Sequence, residues 1–565
     1  MTRVSWAPSL RARIAAGAVA FASVSIALAS CIAPSAGQPP PLDSFYFPTG
    51  LAVSPGRRVL FVASSDFDLQ YNGGSVLALD LASVRARLGQ IRSSLEAAAA
   101  LDAQGKPGEA EAHRCADAGL LPNDNRLLSP APCQALAADT FVRSAATIGA
   151  FASGEIVVRR PGGIAGARLF VPVRGDPSLT YFDITDDSDP AAPYSPCADG
   201  DVFCLDCGQA GLQDRRCADA HRVGQNPTEN SRGLVLPVEP VGLAAATFDA
   251  GNLLVVAHQT QGAASLVTNP WQAGSPWTPS DRPGLQFTVT GLPDGPTDVA
   301  TLPEPAVVTA SRAQGGASTI GYEPGFLVTF RAAAEVDLLR YHVDDGDPSR
   351  PFLTRAGGVG VTALAKGTDS RGIALDAGER QACEAACLRD GTSDATPCLT
   401  ACTAIPMRFF VANRTPASLL VGRIETVLTT AAGSGAGASV SAYDRLSIEE
   451  AVPLSYGASH VALGHVIDRD GKPSLRVFAV AFDSRFVFSY DPVARRVDQV
   501  IRTGRGPHAI AFDTGDDGDG LHSYLLVGHF TDSYVGVVDL DMRNEHTFGS
   551  MFASLGQPVP PKESK

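Results

Sequence analysis

The sequence predicts an all-β fold, a β-propeller of about seven blades with helical and disulfide-stapled insertions, and three observations lead there. One phrase recurs along the chain: a turn residue and a short strand of small apolar residues, a strand of large apolar residues, a polar turn, and a third strand often ending in Asp. The strands are four to seven residues long, bounded by Gly, Pro, Asn and Asp, and too apolar on both faces for one unit to bury alone. The 565 residues include 56 Gly and 41 Pro, rich in turns without reaching low complexity, and radial stacking of antiparallel units uses them as strand punctuation.

Residues 1–30 carry Arg3, Arg11 and Arg13 and then an uncharged run from Ile14 to Ser30, a charged region before an apolar one, as in an export signal. The run ends Leu28-Ala29-Ser30-Cys31. This resembles the lipobox of bacterial lipoproteins, which implies diacylation of the Cys31 sulfur and removal of 1–30 as a signal peptide. It further implies a body held to a membrane by lipid. Ile32, where an Asp favours the inner membrane, implies the outer membrane, with the body in the periplasm or at the cell surface. A plain transmembrane anchor is the alternative reading of the uncharged run. Losing the three leader arginines takes the formal charge from −14 to −17. The Pro-rich stretch at 31–44 reads as a tether. Arg supplies 40 of the 45 basic residues, a composition that resembles lipoproteins of soil bacteria such as myxobacteria.

The propeller is expected over 45–545, with a C-terminal tail at 546–565. Its first copy starts Pro48-Thr49-Gly50-Leu51-Ala52, and a degenerate second is carried by Arg168-Leu169-Phe170-Val171 and Leu179-Thr180-Tyr181-Phe182-Asp183. Later copies start at Pro240-Val241-Gly242, Pro296-Thr297-Asp298, Ser370-Arg371-Gly372, Ala458-Ser459-His460 and Gly506-Pro507-His508. Eight blades is the competing count, because Phe326-Leu327-Val328-Thr329-Phe330 reads as the opening of a further unit. Small residues early in each copy suit an innermost strand, where blades converge and little volume is left.

Three insertions break the spacing, at about 81–140, 186–232 and 376–406. The first holds Leu88, Ile91, Leu95 and the run Ala97 to Ala100, an amphipathic helical pattern. Apart from Cys31, ten cysteines remain, and an even number in an exported chain reads as five disulfides. Cys115 and Cys133 staple the first insertion. Cys383 and Cys387, then Cys398 and Cys402, each lie one helical turn apart, so two short helices folded back pair Cys383 with Cys402 and Cys387 with Cys398. Cys197, Cys204, Cys207 and Cys217 are two disulfides of open connectivity. A four-thiolate zinc site and a redox role for the Cys204-Leu205-Asp206-Cys207 spacing are the alternatives. Long stapled loops on a rigid scaffold are a usual place for recognition, so the insertions are expected to decorate a face or rim.

The stretch from Arg476 through Val487-Phe488-Ser489-Tyr490-Asp491 and Val497 to Gly506-Pro507-His508-Ala509-Ile510-Ala511 resembles the YVTN-type repeat of bacterial surface and periplasmic propellers. The likeness is good in the last two blades, weaker in the first, and weakest from about 140 to 360. It implies the fold. A resemblance to lactonase-like or quinoprotein-like propellers further implies a site at the central channel.

The starts of the innermost strands supply Thr49, Asp298, Arg371, His460 and His508, which a propeller brings from different blades toward one axis. Charged and imidazole groups gathered there suit ligand binding or acid–base chemistry. The plainer reading is a polar lining to a water-filled channel. The acidic stretches at 183–189, 344–347 and 513–519 read as solvated turns, because none has the spacing of a calcium loop. No nucleotide-binding glycine fingerprint, HExxH, GxSxG or CxxCH occurs. No metal or cofactor is expected, and the acidic balance argues against nucleic acid. Two functions follow: a monomeric binding or scaffold module with a protein or glycan partner, membrane-held through its lipid, or a channel enzyme using Asp298, Arg371, His460 and His508.

Overall fold

A strand covered on both sides must be apolar on both faces, and the second strands of the repeat meet that demand: Val59–Ser64 and Gly251–His258 are buried at every position. The computed structural model describes residues 37–560 apart from 199, 209–214, 231, 249–250, 273–280, 315–318, 345–346, 362–367, 390–394, 432–438 and 517–519. The leader, Cys31 and the first part of the tether lie outside the described residues, as do Asp345 and 517–519 of the acidic stretches. Seven sheets form, one per repeat, with their strands in chain order from the axis outward, except that Ile320–Gly321 of the blade 4 excursion adds a parallel strand to the outer edge of blade 5. Blade 1 is Pro48–Val53, Val59–Ser64, Gly74–Asp80 and Val142–Ile148. The inner strands of blades 2 to 6 are Ile156–Arg159, Pro240–Phe248, Pro296–Leu302, Thr368–Asp376 and Ala458–Ile467. Blade 7 is Pro507–Asp516, Leu521–His529, Tyr534–Asp539 and Met551–Leu555.

Gly325–Phe330 pairs with Pro296–Leu302 as the second strand of blade 4, so the count is seven and not eight. Met551–Leu555 is the outermost strand of blade 7, which carries the propeller past the boundary expected at 545. The short strand escaped because it follows a turn-rich stretch and spans only five residues.

Chain direction divides the molecule into two faces. Every inner strand starts on the face that carries the connections between blades and the loops between second and third strands, here called the upper face. The lower face carries the loops between first and second strands and between third and fourth. The long excursions leave from lower-face ends: 81–141 in blade 1, 185–204 in blade 2, 303–324 in blade 4 and 377–406 in blade 5.

These excursions tie blades together. Helix α1 (Leu81–Ala103) is N-capped by Asp80, whose carboxylate accepts the Ser83 amide at 3.0 Å. Its apolar stripe of Leu81, Val84, Leu88 and Ile91 packs into a core shared by Leu60 and Leu77 of blade 1 and Leu526, Val535 and Phe552 of blade 7. Arg85 on the same helix reaches Asp513 of blade 7 at 3.1 Å, a pair 12% and 1% exposed. Farther along, past α2 (Pro107–His113) and the Cys115–Cys133 bridge, Leu136 lies parallel to Leu555. The Leu136 amide donates to the Ser554 carbonyl at 2.8 Å, and the Gly556 amide returns a bond to the Leu136 carbonyl at 2.8 Å. The excursion of the first blade thus edges the last.

The other staples act alike. Cys197 pairs with Cys204 and Cys207 with Cys217, so all four thiols are consumed in disulfides rather than in a thiolate metal site. The Cys217 amide donates to Thr147 on the outer strand of blade 1 at 3.1 Å, and Asp187 accepts from Ser54 and the Gly56 and Arg58 amides. Helix α3 (Ala306–Gln314) of blade 4 meets the blade 5 hairpin of α4 (Gly378–Arg389) and α5 (Thr396–Thr403), in which Cys383 pairs with Cys402 and Cys387 with Cys398. Beside them Asp444 takes bonds from Arg340, Tyr322 and Thr426.

Truncating the α1 stripe tests the seam: Leu88→Ala should cost about 2–4 kcal/mol, read as a lower urea midpoint. A loss under about 1 kcal/mol would mean that the first and last blades hold without the helix.

Candidate functional site

Each inner strand opens with one residue more than its partner strand. The register slips between Pro48 and Gly50, Pro240 and Leu243, Pro296 and Asp298, Ser370 and Gly372, Ala458 and His460, and Pro507 and Ile510. In blade 2 the bridge of Ala152 to Val173 and the pair Ile156 to Phe170 enclose the same extra residue. A β-bulge bends its strand and re-aims a side chain. The recurring phrase is therefore the signature of a bulge, and it turns Thr49, Ser153, Val241, Thr297, Arg371, Ser459 and His508 into one cavity of about 460 Å³ at the channel mouth. Asp298 and His460 line it from the next position, so all five residues singled out in the sequence meet around this space.

Glycine at that next position is a packing requirement in alternate blades. A Cβ on Gly242 would lie 2.5 Å from Asp298 Cα, one on Gly372 3.0 Å from His460 Cα, and one on Gly50 2.9 Å from Glu155 Cγ. In each pair a bare backbone in one blade makes room for a larger residue in the next.

The five residues differ in what holds them. The Asp298 carboxylate accepts the Val299 amide at 2.9 Å and the Ile373 amide of blade 5 at 3.0 Å, tying two inner strands together. Burial pushes its pKa up to about 7, the two amides opposing. Burial pushes His460 down to about 4, with His508 adding to the effect. His508 is lowered by burial too, partly offset by the Thr49 backbone, and its Nδ1 is buried without a hydrogen bond. Arg371 is paired with Asp369. Thr49 is buried, its hydroxyl 3.5 Å from the Ala63 carbonyl.

Two features of the cavity escape a sequence reading. Four phenylalanines from upper-face loops gather at its mouth: Phe67 lies 5.1 Å from Phe530 and 5.8 Å from Phe151, and Phe482 lies 6.3 Å from Phe530. Phe67 is 51% exposed. Phe482 and Phe530 share one repeat position, directly after the residue paired with the opening of the inner strand, whereas Phe67 and Phe151 come from other points of their loops, outside the repeated strand phrase. The second feature is Glu155, whose carboxylate oxygens are buried with no hydrogen-bond partner. Burial lifts it to about 8, only partly opposed by the approach of the Ala52 and Ala63 amides. The strand register reveals it: Ile156 pairs with Phe170 as Ala52 pairs with Phe61, which sets Glu155 at the position of Leu51.

Two guanidiniums besides Arg371 line the mouth, Arg174 paired with Glu239 at 2.9 Å and Arg414 paired with Asp483. Among the described residues, the one group of three metal-ligating side chains is Cys383, Cys387 and Cys402, and every sulfur in it is in a disulfide.

The shifts set opposite pH limbs. His460 falls from 6.5 to about 4 on folding, so its contribution is full above pH 6.5 and is lost as pH drops toward 4. Glu155 rises from 4.5 to about 8, so the folded state holds the proton more tightly and stability declines between pH 4.5 and 8. Melting temperatures across that range should show His460→Gln flattening the acid limb and Glu155→Gln flattening the alkaline one. Unchanged limbs would contradict the burial of these groups.

No family model matches the chain, and no curated protein matches it. Among solved structures it is similar to the Kuenenia stuttgartiensis hydrazine synthase, at 11% identity and a TM-score of 0.40 over 88% of this chain and 96% of that one. It is also similar to BBS1N in complex with ARL6DN, at 12% identity and a TM-score of 0.36 over 74% and 85%, and to a chain of the nidogen/laminin complex, at 12% and 0.26 over 54% and 78%. Likeness at this level carries no argument about function.

Proposed function

We propose that the protein is a lipid-anchored, extracytoplasmic propeller that binds a small ligand at the mouth of its central channel. The observation that carries this reading is the convergence of seven bulges on one cavity rimmed by four phenylalanines. Its volume falls in the roughly 300–1,000 Å³ range of small-molecule sites. Five disulfides support an oxidising compartment. The leader and Cys31 support the lipid, and among the described residues no helix is long and apolar enough to cross a membrane. The chain reaches the body on the upper face, where the Asn72 amide donates to the Gln38 carbonyl at 2.8 Å. At about 3.3–3.6 Å per residue, a lipid on Cys31 is within ~25 Å of that point and holds the cavity toward the membrane.

Binding is favoured over catalysis in the channel. A general acid or base must exchange its proton with a substrate, and both carboxylate oxygens of Asp298 are engaged by main-chain amides. The stapled excursions, expected to serve recognition, leave from lower-face ends and join neighbouring blades.

Cys31→Ser should move the protein from the membrane to the soluble fraction, and an unchanged membrane fraction would overturn the anchor. Native mass spectrometry of the detergent-extracted chain should find one small molecule per protein. Phe67→Ala should weaken its retention about 5- to 10-fold with little change in melting temperature; equal retention would remove the cavity from consideration.

A further inference from the structure

Six of the seven inner strands place an aliphatic side chain directly after the bulge, and it fills the interface with the preceding blade: Leu51, Leu243, Val299, Ile373, Val461 and Ile510. Blade 2 places Glu155 there, against Gly50 of blade 1. A carboxyl group buried without a hydrogen bond is destabilising where an aliphatic side chain would stabilise. Departures of this kind from a protein's own repeat are found where function outweighs stability.

The electrostatics of the cavity show what Glu155 can hold. The other titratable groups on its wall are Asp298, His460 and His508 on inner strands and Arg174, Arg371, Arg414 and Asp483 at the mouth. Each arginine already has a carboxylate partner: Glu239, Asp369 or Asp483. The imidazoles are held neutral by burial. Asp298 accepts amides and no cation. The uncompensated charge available to the wall is therefore negative, and it faces a mouth of phenyl rings, whose faces attract cations. Glu155 stands on the cavity wall beside Gly154, at whose Cβ position no atom lies within 4 Å.

We propose that the cavity selects a small organic amine, its ammonium held by the Glu155 carboxylate and its body packed against Phe67 and Phe530. This rests on the reading of the cavity as a ligand site and names the ligand's class. The Glu155 proton leaves to solvent as the ammonium arrives, so below pH 8 up to one proton is released per ligand bound.

Calorimetry on the full chain in detergent tests this with three ammonium probes, phenethylamine, putrescine and choline, against phenylethanol and phenylacetate. At least one ammonium should bind one to one, with proton release that depends on the buffer, and phenylethanol and phenylacetate should bind about 10- to 100-fold more weakly. Glu155→Gln should lose the preference for ammonium. Glu155→Leu should lose binding while raising the melting temperature, a combination that a structural carboxylate would not give. If no ammonium probe saturates, if Glu155→Gln binds them unchanged, or if Glu155→Leu melts lower, the assignment falls. Binding of phenylacetate or phenylethanol alone would overturn the amine class and leave the cavity a ligand site.

Discussion

The ring must close, and the rest of the structure depends on how. Blades that stack around an axis each lend their faces to two neighbours, so an open seam would expose two apolar sheets at once. Here no strand is shared across the seam, because blade 1 is built wholly from 48–148 and blade 7 wholly from 507–555. Closure falls to α1, whose stripe lies in the core between the two blades, and to Leu136, which adds an edge to Met551–Leu555. The buried pair of Arg85 and Asp513 fixes the helix against both blades, since the same guanidinium donates to the Arg57 carbonyl of blade 1 at 2.9 Å.

From that closure follows a division of labour between the faces. The lower face carries the stapled excursions, which lock blade 1 to 7, 1 to 2 and 4 to 5. The upper face is left to short loops and to the bulges that begin each inner strand. A bulge adds a residue without lengthening the strand, so seven of them surround the axis with side chains that a regular ladder would have pressed between blades. Glycine alternating with larger residues lets these rows fit where space is least.

The legible part of the molecule is the part that repeats. The phrase around Pro48-Thr49-Gly50 and Pro507-His508-Ala509 gives the seven blades, and because the phrase is itself the bulge it also brings Thr49, Asp298, Arg371, His460 and His508 to one place. The hairpin of Cys383 with Cys402 is legible because helical spacing is local. Other parts stay hidden for stated reasons. Arg85 and Asp513 are 428 residues apart and carry no mutual signal. Phe67, Phe151, Phe482 and Phe530 sit in loops outside the strand phrase that repeats, and only Phe482 and Phe530 share a position relative to it. Glu155 lies in the one repeat whose inner strand is only four residues long.

An uninterrupted blade also bears on how such a chain can change. In a ring stitched by a shared strand, the two ends of the gene are committed to one blade, and adding or losing a unit must preserve that split. Here the main strands of each blade are contiguous in the chain, with Ile320–Gly321 crossing from the blade 4 excursion to the edge of blade 5, and the junction of last and first blade carries an excursion across it as do those of blades 1 and 2 and blades 4 and 5. The chain therefore has no fixed origin: a circularly permuted gene opened at another junction encodes the same seven sheets, and a duplication in frame inserts a whole wedge. What such a rearrangement has to preserve is each clasp together with the two blades it joins.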